Sequence, residues 1–292
     1  MIISASRRTD IPAFYSEWFM NRIREGYALV RNPFNGKESR VDLSPSAVDA
    51  IVFWTRNPKP LLSHLEELDT RGFVYYFLYT ITGYPQSLEP SVPPLPQAIE
   101  TLTELSRRIG SGRVTWRFDP ILLTSLTPED SLIGTFGDIA QQLHGAAKRV
   151  IISFCEFYRK VTANLKGLSS VTCTDISGDE PRIRRIASSL AGISRIHSME
   201  MFSCADARDF TSLGIRRGKC IDNALIQELF GITVHPGKDK GQRRECGCVQ
   251  SRDIGEYSTC LHGCVYCYAT TGREEARRKA LLHNPESPFL IG

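Results

Sequence analysis

The sequence predicts an α/β fold with a core of parallel strands, arranged as a partial or closed (β/α) barrel. Three observations carry this expectation. Apolar, β-rich runs alternate with helix-periodic segments about six times along the chain, the pattern of parallel strands joined by helical crossovers. No G-x-G-x-x-G opens the first unit, which argues against a dinucleotide-binding sheet. The strand candidates end repeatedly in charged or hydroxyl residues, and a barrel gathers its site at the carboxyl ends of its strands.

The first strand is expected over Ile2–Ser6, ending in Arg7, Arg8, Thr9 and Asp10, and helix-like spacing follows from Trp18 to Glu25. Ala50–Trp54 is a second apolar run, closed by Thr55-Arg56-Asn57-Pro58. From Leu61 to Arg71, Leu61, Leu62, Leu65 and Leu68 share one helix face. Phe73–Ile81, rich in Tyr and Phe, is the third strand, ending near Thr80 and Thr82. Pro85–Pro96 reads as a loop and Ala98–Ile109 as a helix.

Arg113–Leu123 contains the fourth strand and carries Arg117 and Asp119, next to Pro120. Thr127-Pro128-Glu129-Asp130 starts a helix that runs towards Lys148, with acids in its first turn. Val150–Glu156 is the fifth strand, Pro181–Leu190 a basic helix and Arg195–Cys204 the sixth strand. Past Cys204 the pattern changes. A helical stretch begins near Gly218–Asp222 with Leu225, Ile226 and Leu229 in period. A basic loop, His235–Arg244, then leads to Cys246-Gly247-Cys248, a strand over Val249–Tyr257 and a closing helix over Glu274–Leu282.

Composition sets the class. The chain is 41% hydrophobic and 23% charged, an ordinary globular balance. No apolar run approaches the roughly 20 residues a bilayer span needs, and the N-terminus lacks a long apolar signal segment. The expectation is a cytoplasmic protein without membrane association. A net charge of +4 suggests a nucleic-acid partner only weakly. Nine cysteines in such a chain point to metal ligation before disulfides. None precedes Cys155, and five lie between Cys246 and Cys267.

Cys260, Cys264 and Cys267 stand at C-x3-C-x2-C spacing. Three thiolates in one short loop are costly without a metal to neutralise them. Gly263 frees the backbone to curl between the first two sulfurs. Three cysteines are one short of the four that usually hold a cubane iron–sulfur cluster, so one iron would stay open. The alternative is a structural zinc loop built from these three and one further cysteine.

The spacing, with the aromatic Tyr266 before the third cysteine, resembles the cluster motif of the radical S-adenosylmethionine (SAM) enzymes. The resemblance implies a [4Fe–4S] cluster whose open iron binds SAM, cleavage of SAM to a 5′-deoxyadenosyl radical, and an electron donor such as a flavodoxin or ferredoxin. In most members the motif follows the first barrel strand. Here strand, cluster loop and helix fall over residues 249–282 and the other strands come first. A closed ring can be cut at a different loop, so the chain reads as a circularly permuted radical-SAM-like barrel.

Ser4–Asp10, Phe53–Pro58, Cys246-Gly247-Cys248 and Cys260–Ala269 together resemble a bacterial family, domain-of-unknown-function family 1848. Its C-terminal cysteine cluster is similar to that of radical SAM proteins, and it implies no substrate. The cluster loop and the Trp54–Pro58 turn carry a fainter likeness to spore photoproduct lyase, a radical SAM DNA-repair enzyme.

The expected organisation is one α/β barrel domain over 1–292, with 204–248 a cysteine-bearing insertion. Cys204, Cys220, Cys246 and Cys248 form a candidate auxiliary site, for a second iron–sulfur cluster or for zinc. Iron–sulfur is favoured, because such a cluster could pass electrons to the first or hold substrate. Cys155 and Cys173 read as structural, and His262 as a group beside the cluster or facing solvent. Arg8, Arg56, Arg117 and Asp119, with Tyr266, are expected to bind SAM: its carboxylate suits a guanidinium fork and its ribose suits a carboxylate. Arg7, Asp10 and Glu156 are candidate catalytic groups. The other functional class is a non-catalytic zinc or iron–sulfur protein with a nucleic-acid-binding surface, for which Arg182–Arg185, Lys238–Arg244 and Arg273–Lys279 speak.

Overall fold

The computed structural model describes residues 1–168 and 171–292. The chain runs β1 (Ile2–Ala5), α1 (Ile11–Phe14), α2 (Ser16–Glu25), β2 (Tyr27–Arg31), β3 (Glu38–Asp42), β4 (Ala50–Thr55), α3 (Lys59–Leu62), α4 (Leu65–Thr70), β5 (Tyr75–Thr80), α5 (Leu95–Ile109), β6 (Val114–Ile121) and β7 (Leu123–Thr124). It continues through α6 (Glu129–Gln142), β8 (Arg149–Phe154), α7 (Arg159–Lys166), β9 (Cys173–Thr174), α8 (Glu180–Ile196), β10 (Glu200–Cys204), β11 (Arg216–Gly218), α9 (Asn223–Phe230), β12 (Arg252–Asp253) and α10 (Arg273–Ala280).

Eight strands form one sheet in the order β11-β10-β8-β6-β5-β4-β1-β12. Every neighbouring pair in it is parallel. Parallel strands are buried on both faces, so they appear in the sequence as unbroken apolar runs. Ala50–Thr55 and Tyr75–Thr80 are buried at every position. Side chains alternate between two cores. Ile3, Ile51, Phe53, Phe77, Trp116 and Ile152 pack beneath the helices. Ile2, Val52, Trp54, Tyr76, Leu78, Ile151 and Phe202 face the other way.

That second face explains why the sheet is open, the main departure from the expectation of a closed barrel. It is covered by Cys220, Ile221, Leu225, Ile226, Val234, Cys246, Cys248 and Val249. The segment 220–249, α9 included, fills the space that a closed barrel fills with its own inward side chains. The edges β11 and β12 have only three and two residues.

Other boundaries moved for local reasons. The strand expected over 249–257 keeps two residues, because Val249 and Gln250 donate to the Ile221 and Gly237 carbonyls instead of to a strand. The basic helix runs to Ile196 rather than Leu190, and Asp179 caps its start by accepting from the Arg182 amide. A hairpin, β2 and β3, stands outside the main sheet.

Candidate functional site

The carboxyl ends of seven of the eight sheet strands open onto a cavity of about 400 Å³, and the cysteine loop that follows the eighth, β12, lines it as well. This lies within the range of small-molecule sites. Ser6 follows β1, Arg56 follows β4, Thr80 ends β5, Arg117 and Asp119 lie on β6, Phe154 ends β8, Cys204 ends β10, and Cys220 follows β11. Every residue singled out in the sequence lines it: both cysteine sets, Arg7, Arg8, Asp10, Arg56, Arg117, Asp119, Glu156 and Tyr266. Cys155 lines it too. All nine cysteines are free thiols.

The loop from β12 to α10 carries Cys260, Cys264 and Cys267. Two glycines permit its path. Gly263 has φ +70°, and a Cβ there would sit 2.9 Å from Arg273 Nε. At Gly255 a Cβ would lie 2.1 Å from Ser6 Oγ, so the loop can pass the end of β1 only without a side chain. Below it Asp253 is a hub. Its carboxylate accepts from Ser4 Oγ (2.6 Å), Ser6 Oγ (2.7 Å), the Arg7 amide (2.9 Å) and the Gly255 amide (3.0 Å).

The loop is held from outside by the stretch that reads as a Pro-rich connection. The Val265 amide donates to the Leu88 carbonyl (3.0 Å) and the Ser91 amide to the His262 carbonyl (3.0 Å). Glu89 is 3% exposed. Its carboxylate accepts from Arg56 Nη1 (2.8 Å), Thr82 Oγ1 (2.6 Å) and the Tyr266 hydroxyl. Arg56 Nη2 also donates to the Tyr266 oxygen at 2.5 Å. Burial pulls the Arg56 pKa down, but Glu89, Tyr266 and the Cys264 and Cys260 thiols outweigh it and hold it well above its ordinary value. Arg56 and Tyr266 are thus engaged with each other and with Glu89.

His262 is buried rather than facing solvent, at 1% exposure. Its Nε2 lies 2.8 Å from Asp10 Oδ2 and its Nδ1 3.1 Å from the Ser91 carbonyl. Asp10 also accepts from the Arg56 and Ala13 amides at 2.7 and 3.0 Å. One carboxylate therefore joins α1, the end of β4 and the cysteine loop. Burial pushes the Cys264 thiol up to about 12 against the pull of Arg56, and pushes Cys260 well above its ordinary value.

Across the cavity Arg117 pairs with Asp119, which also accepts from Ser153 Oγ. Arg117 Nε and Thr9 Oγ1 are buried without a hydrogen-bond partner. Arg7 Nη1 donates to Asp239 (3.2 Å), and its guanidinium lies 5.4 Å from the Trp54 ring centre. Arg8 Nη1 donates to the Gly255 carbonyl at 3.4 Å. Glu156 pairs with Arg243 from the basic loop, and Arg243 also donates to the Tyr158 hydroxyl at 3.0 Å.

The four other cysteines meet at the end of the sheet by β10 and β11. Cys204 and Cys220 Sγ are 3.5 Å apart. Cys248 Sγ accepts from the Ile221 amide (3.3 Å), and the neighbouring Cys220 and Cys246 thiols, with that amide and Arg7, hold its pKa low against burial. Among the described residues no three His, Cys, Asp or Glu side chains are gathered as closely as one bound ion requires.

Sequence reasoning missed Glu89, Asp253 and Ser153. A carboxylate directly after a strand start and before Gly255 could have marked Asp253. Nothing local marks Glu89, which sits among prolines. Of the basic stretches, Arg182 and Arg185 pair with Glu129 at 2.9 and 2.8 Å, Arg184 with Glu180 at 2.8 Å, and Lys279 with Glu256 at 2.8 Å. No helix among the described residues is long and apolar enough to cross a membrane.

No curated protein and no solved structure matches this chain. The model of one family, the domain of unknown function DUF1848, matches residues 2–269, and the chain belongs to that family.

Proposed function

We propose that this protein is a radical SAM-type iron–sulfur enzyme acting on a substrate held in the strand-end cavity. The carrying observation is that Cys260, Cys264 and Cys267 sit on one irregular loop at that cavity. They are free, and among the described residues they make no thiol–thiol contact like that of Cys204 with Cys220. That separation suits a cluster of several irons better than a single ion, and three ligands leave one iron open. The fold, an open parallel sheet with the cysteine loop after an edge strand, agrees with a permuted radical-SAM-like arrangement.

The residues fit both groups. The three thiols would hold a [4Fe–4S] cluster. Arg117 Nε and Thr9 Oγ1, the unpartnered buried polar atoms of the cavity wall, would face SAM, with Asp119 and Arg8 beside them. When bound, the two groups supply one-electron reductive cleavage of SAM to a 5′-deoxyadenosyl radical. The protein's own part is positional. Asp10, Glu89 and Asp253 fix the loop from three sides, Arg56 and Tyr266 transmit the Glu89 contact to it, and the buried walls exclude water that would quench a radical. Arg7, Asp10 and Glu156 are then positioning rather than proton-transfer groups, each already engaged with a neighbour. A small electron carrier of the flavodoxin or ferredoxin type would complete the system.

Anaerobic purification with SAM and a chemical reductant tests this. Wild-type protein should be brown and form 5′-deoxyadenosine. The variant with Cys260→Ala, Cys264→Ala and Cys267→Ala should lose the loop's iron and all product. Product formation unchanged by the triple substitution would end the reading.

A further inference from the structure

β10 and β11 lie side by side at one edge of the sheet, joined by three residue pairs: Phe202 with Arg216, Ser203 with Arg217 and Cys204 with Gly218. Gly218 lets them come close, since a Cβ there would sit 2.9 Å from Phe202 Cβ and 3.0 Å from the Ser203 carbonyl oxygen. Where the two strands end, Cys204 and Cys220 meet. Their sulfurs are 3.5 Å apart, although the two residues are 16 positions apart in the chain.

The backbone fixes both thiols. Ala205 holds φ +50°, the left-handed region that residues other than glycine avoid, and so turns the chain off the sheet directly after Cys204. Past β11, the Cys220 carbonyl accepts from the Tyr76 hydroxyl at 2.6 Å, and that hydroxyl oxygen accepts from the Asp222 amide at 3.2 Å. Cys220 is thereby anchored to β5. The two thiols differ in access. Cys204 is partly exposed and lines both the strand-end cavity and a second cavity of about 370 Å³ that shares Ser153 and Phe154 with it. Cys220 is 5% exposed and lines only the first.

We propose that Cys204 and Cys220 are a reversible redox pair: a small disulfide of the glutathione class oxidises them to a Cys204–Cys220 disulfide, which staples β11 and the start of the 220–249 segment to β10. The sulfurs need only close from 3.5 Å to a bond of about 2.05 Å. Access sets the order of events. Cys204 gives its proton to solvent, and its thiolate attacks one sulfur of the small disulfide, breaking that bond and releasing one small thiol. Cys220, deprotonated in turn, attacks the Cys204 sulfur of the mixed disulfide and releases the second small thiol. Two protein thiols and one small disulfide become one protein disulfide and two small thiols. The two electrons pass to the small disulfide, and the two protons end on its thiols. The bond adds a covalent tie where three residue pairs hold a terminal strand. Oxidation therefore stiffens the cavity wall at β10 and β11, and reduction frees it. This inference is independent of the iron–sulfur reading of the Cys260 loop.

The test uses the full chain carrying Cys260→Ala, Cys264→Ala and Cys267→Ala, so that the loop contributes neither thiol nor metal. Nine cysteines less three leave six thiols. Equilibration with oxidised glutathione should lower the titratable thiols from six to four, and dithiothreitol should restore them. Peptide mass spectrometry should place the bond between Cys204 and Cys220. Closing this 16-residue loop should raise the melting temperature by about 5 °C. Adding Cys220→Ser should leave glutathione on Cys204 and remove the rise. Should that variant fail to fold, the peptide map of the unsubstituted pair decides alone. A bond between any other two cysteines, glutathione adducts with no protein disulfide, or six thiols still free overturns the pair. A Cys204–Cys220 bond that leaves the melting temperature unchanged overturns the staple.

Discussion

The two cysteine regions differ in how their ligands are brought together. Cys260, Cys264 and Cys267 lie within eight residues of one loop, and their spacing along the chain already sets their spacing in space. The supports of that loop come from afar: Glu89 and Ser91 before α5, Asp10 after β1, and Arg56 after β4. Cys204, Cys220, Cys246 and Cys248 are the reverse case. They span forty-five residues, meet only because the 220–249 segment packs into the sheet, and are surrounded by apolar neighbours from that segment. A site on one loop needs a scaffold to hold it still, whereas a site assembled from several stretches can itself be the scaffold. The first therefore suits an exchangeable ligand and reactive chemistry, and the second is part of the packing between the 220–249 segment and the sheet.

Changes to the loop's scaffold should sort by burial. The largest effect is expected for Glu89→Ala, which leaves Arg56 buried and unpaired and frees the Tyr266 hydroxyl. A loss of about 3–5 kcal/mol is expected, read by denaturant melting, and a loss below about 1 kcal/mol would mean the clamp is solvent-relaxed. Removing the guanidinium with Arg117→Ala should leave the fold and the iron content intact and weaken SAM binding by about 1.5–3 kcal/mol, measured by calorimetry. A variant that melts early but binds SAM normally would make Arg117 structural. Gly255→Ala forces a methyl into Ser6 and should cost about 1–3 kcal/mol, with a wild-type melt counting against the close approach. The smallest effect is Arg243→Ala, because its pair with Glu156 is nearly half exposed. Under about 1 kcal/mol is expected, and a larger loss would give the basic loop a structural weight it lacks here.

The legibility of the molecule follows the same division between local and assembled features. β4 and β5 were legible because strands buried on both faces are apolar throughout. The cysteine loop was legible because its ligands are close in sequence, and the strand-end polar residues because a parallel sheet has one functional rim. Of the expected partial or closed barrel, the closed form is not what the chain adopts, because nothing local announces that 220–249 will occupy the inner face. The hairpin of β2 and β3 did carry a signal, Asn35-Gly36 with Gly36 at φ +70°, a turn pair that favours hairpins. Pro85–Pro96 looked like a mere connection because prolines mark loops, and its contacts to Val265, His262 and Tyr266 are purely tertiary. The four-cysteine set could be named from residue type alone, but that Cys204 and Cys220 touch required the fold.

The central claim, that the Cys260 loop holds a cluster with one iron open to SAM, is tested most directly by electron paramagnetic resonance. Iron-loaded, reduced protein is measured with and without SAM. The account predicts a reduced [4Fe–4S] signal that changes shape when SAM is added and is missing from the Cys260→Ala, Cys264→Ala, Cys267→Ala variant. A cluster signal that ignores SAM, or one that persists in that variant, would contradict it.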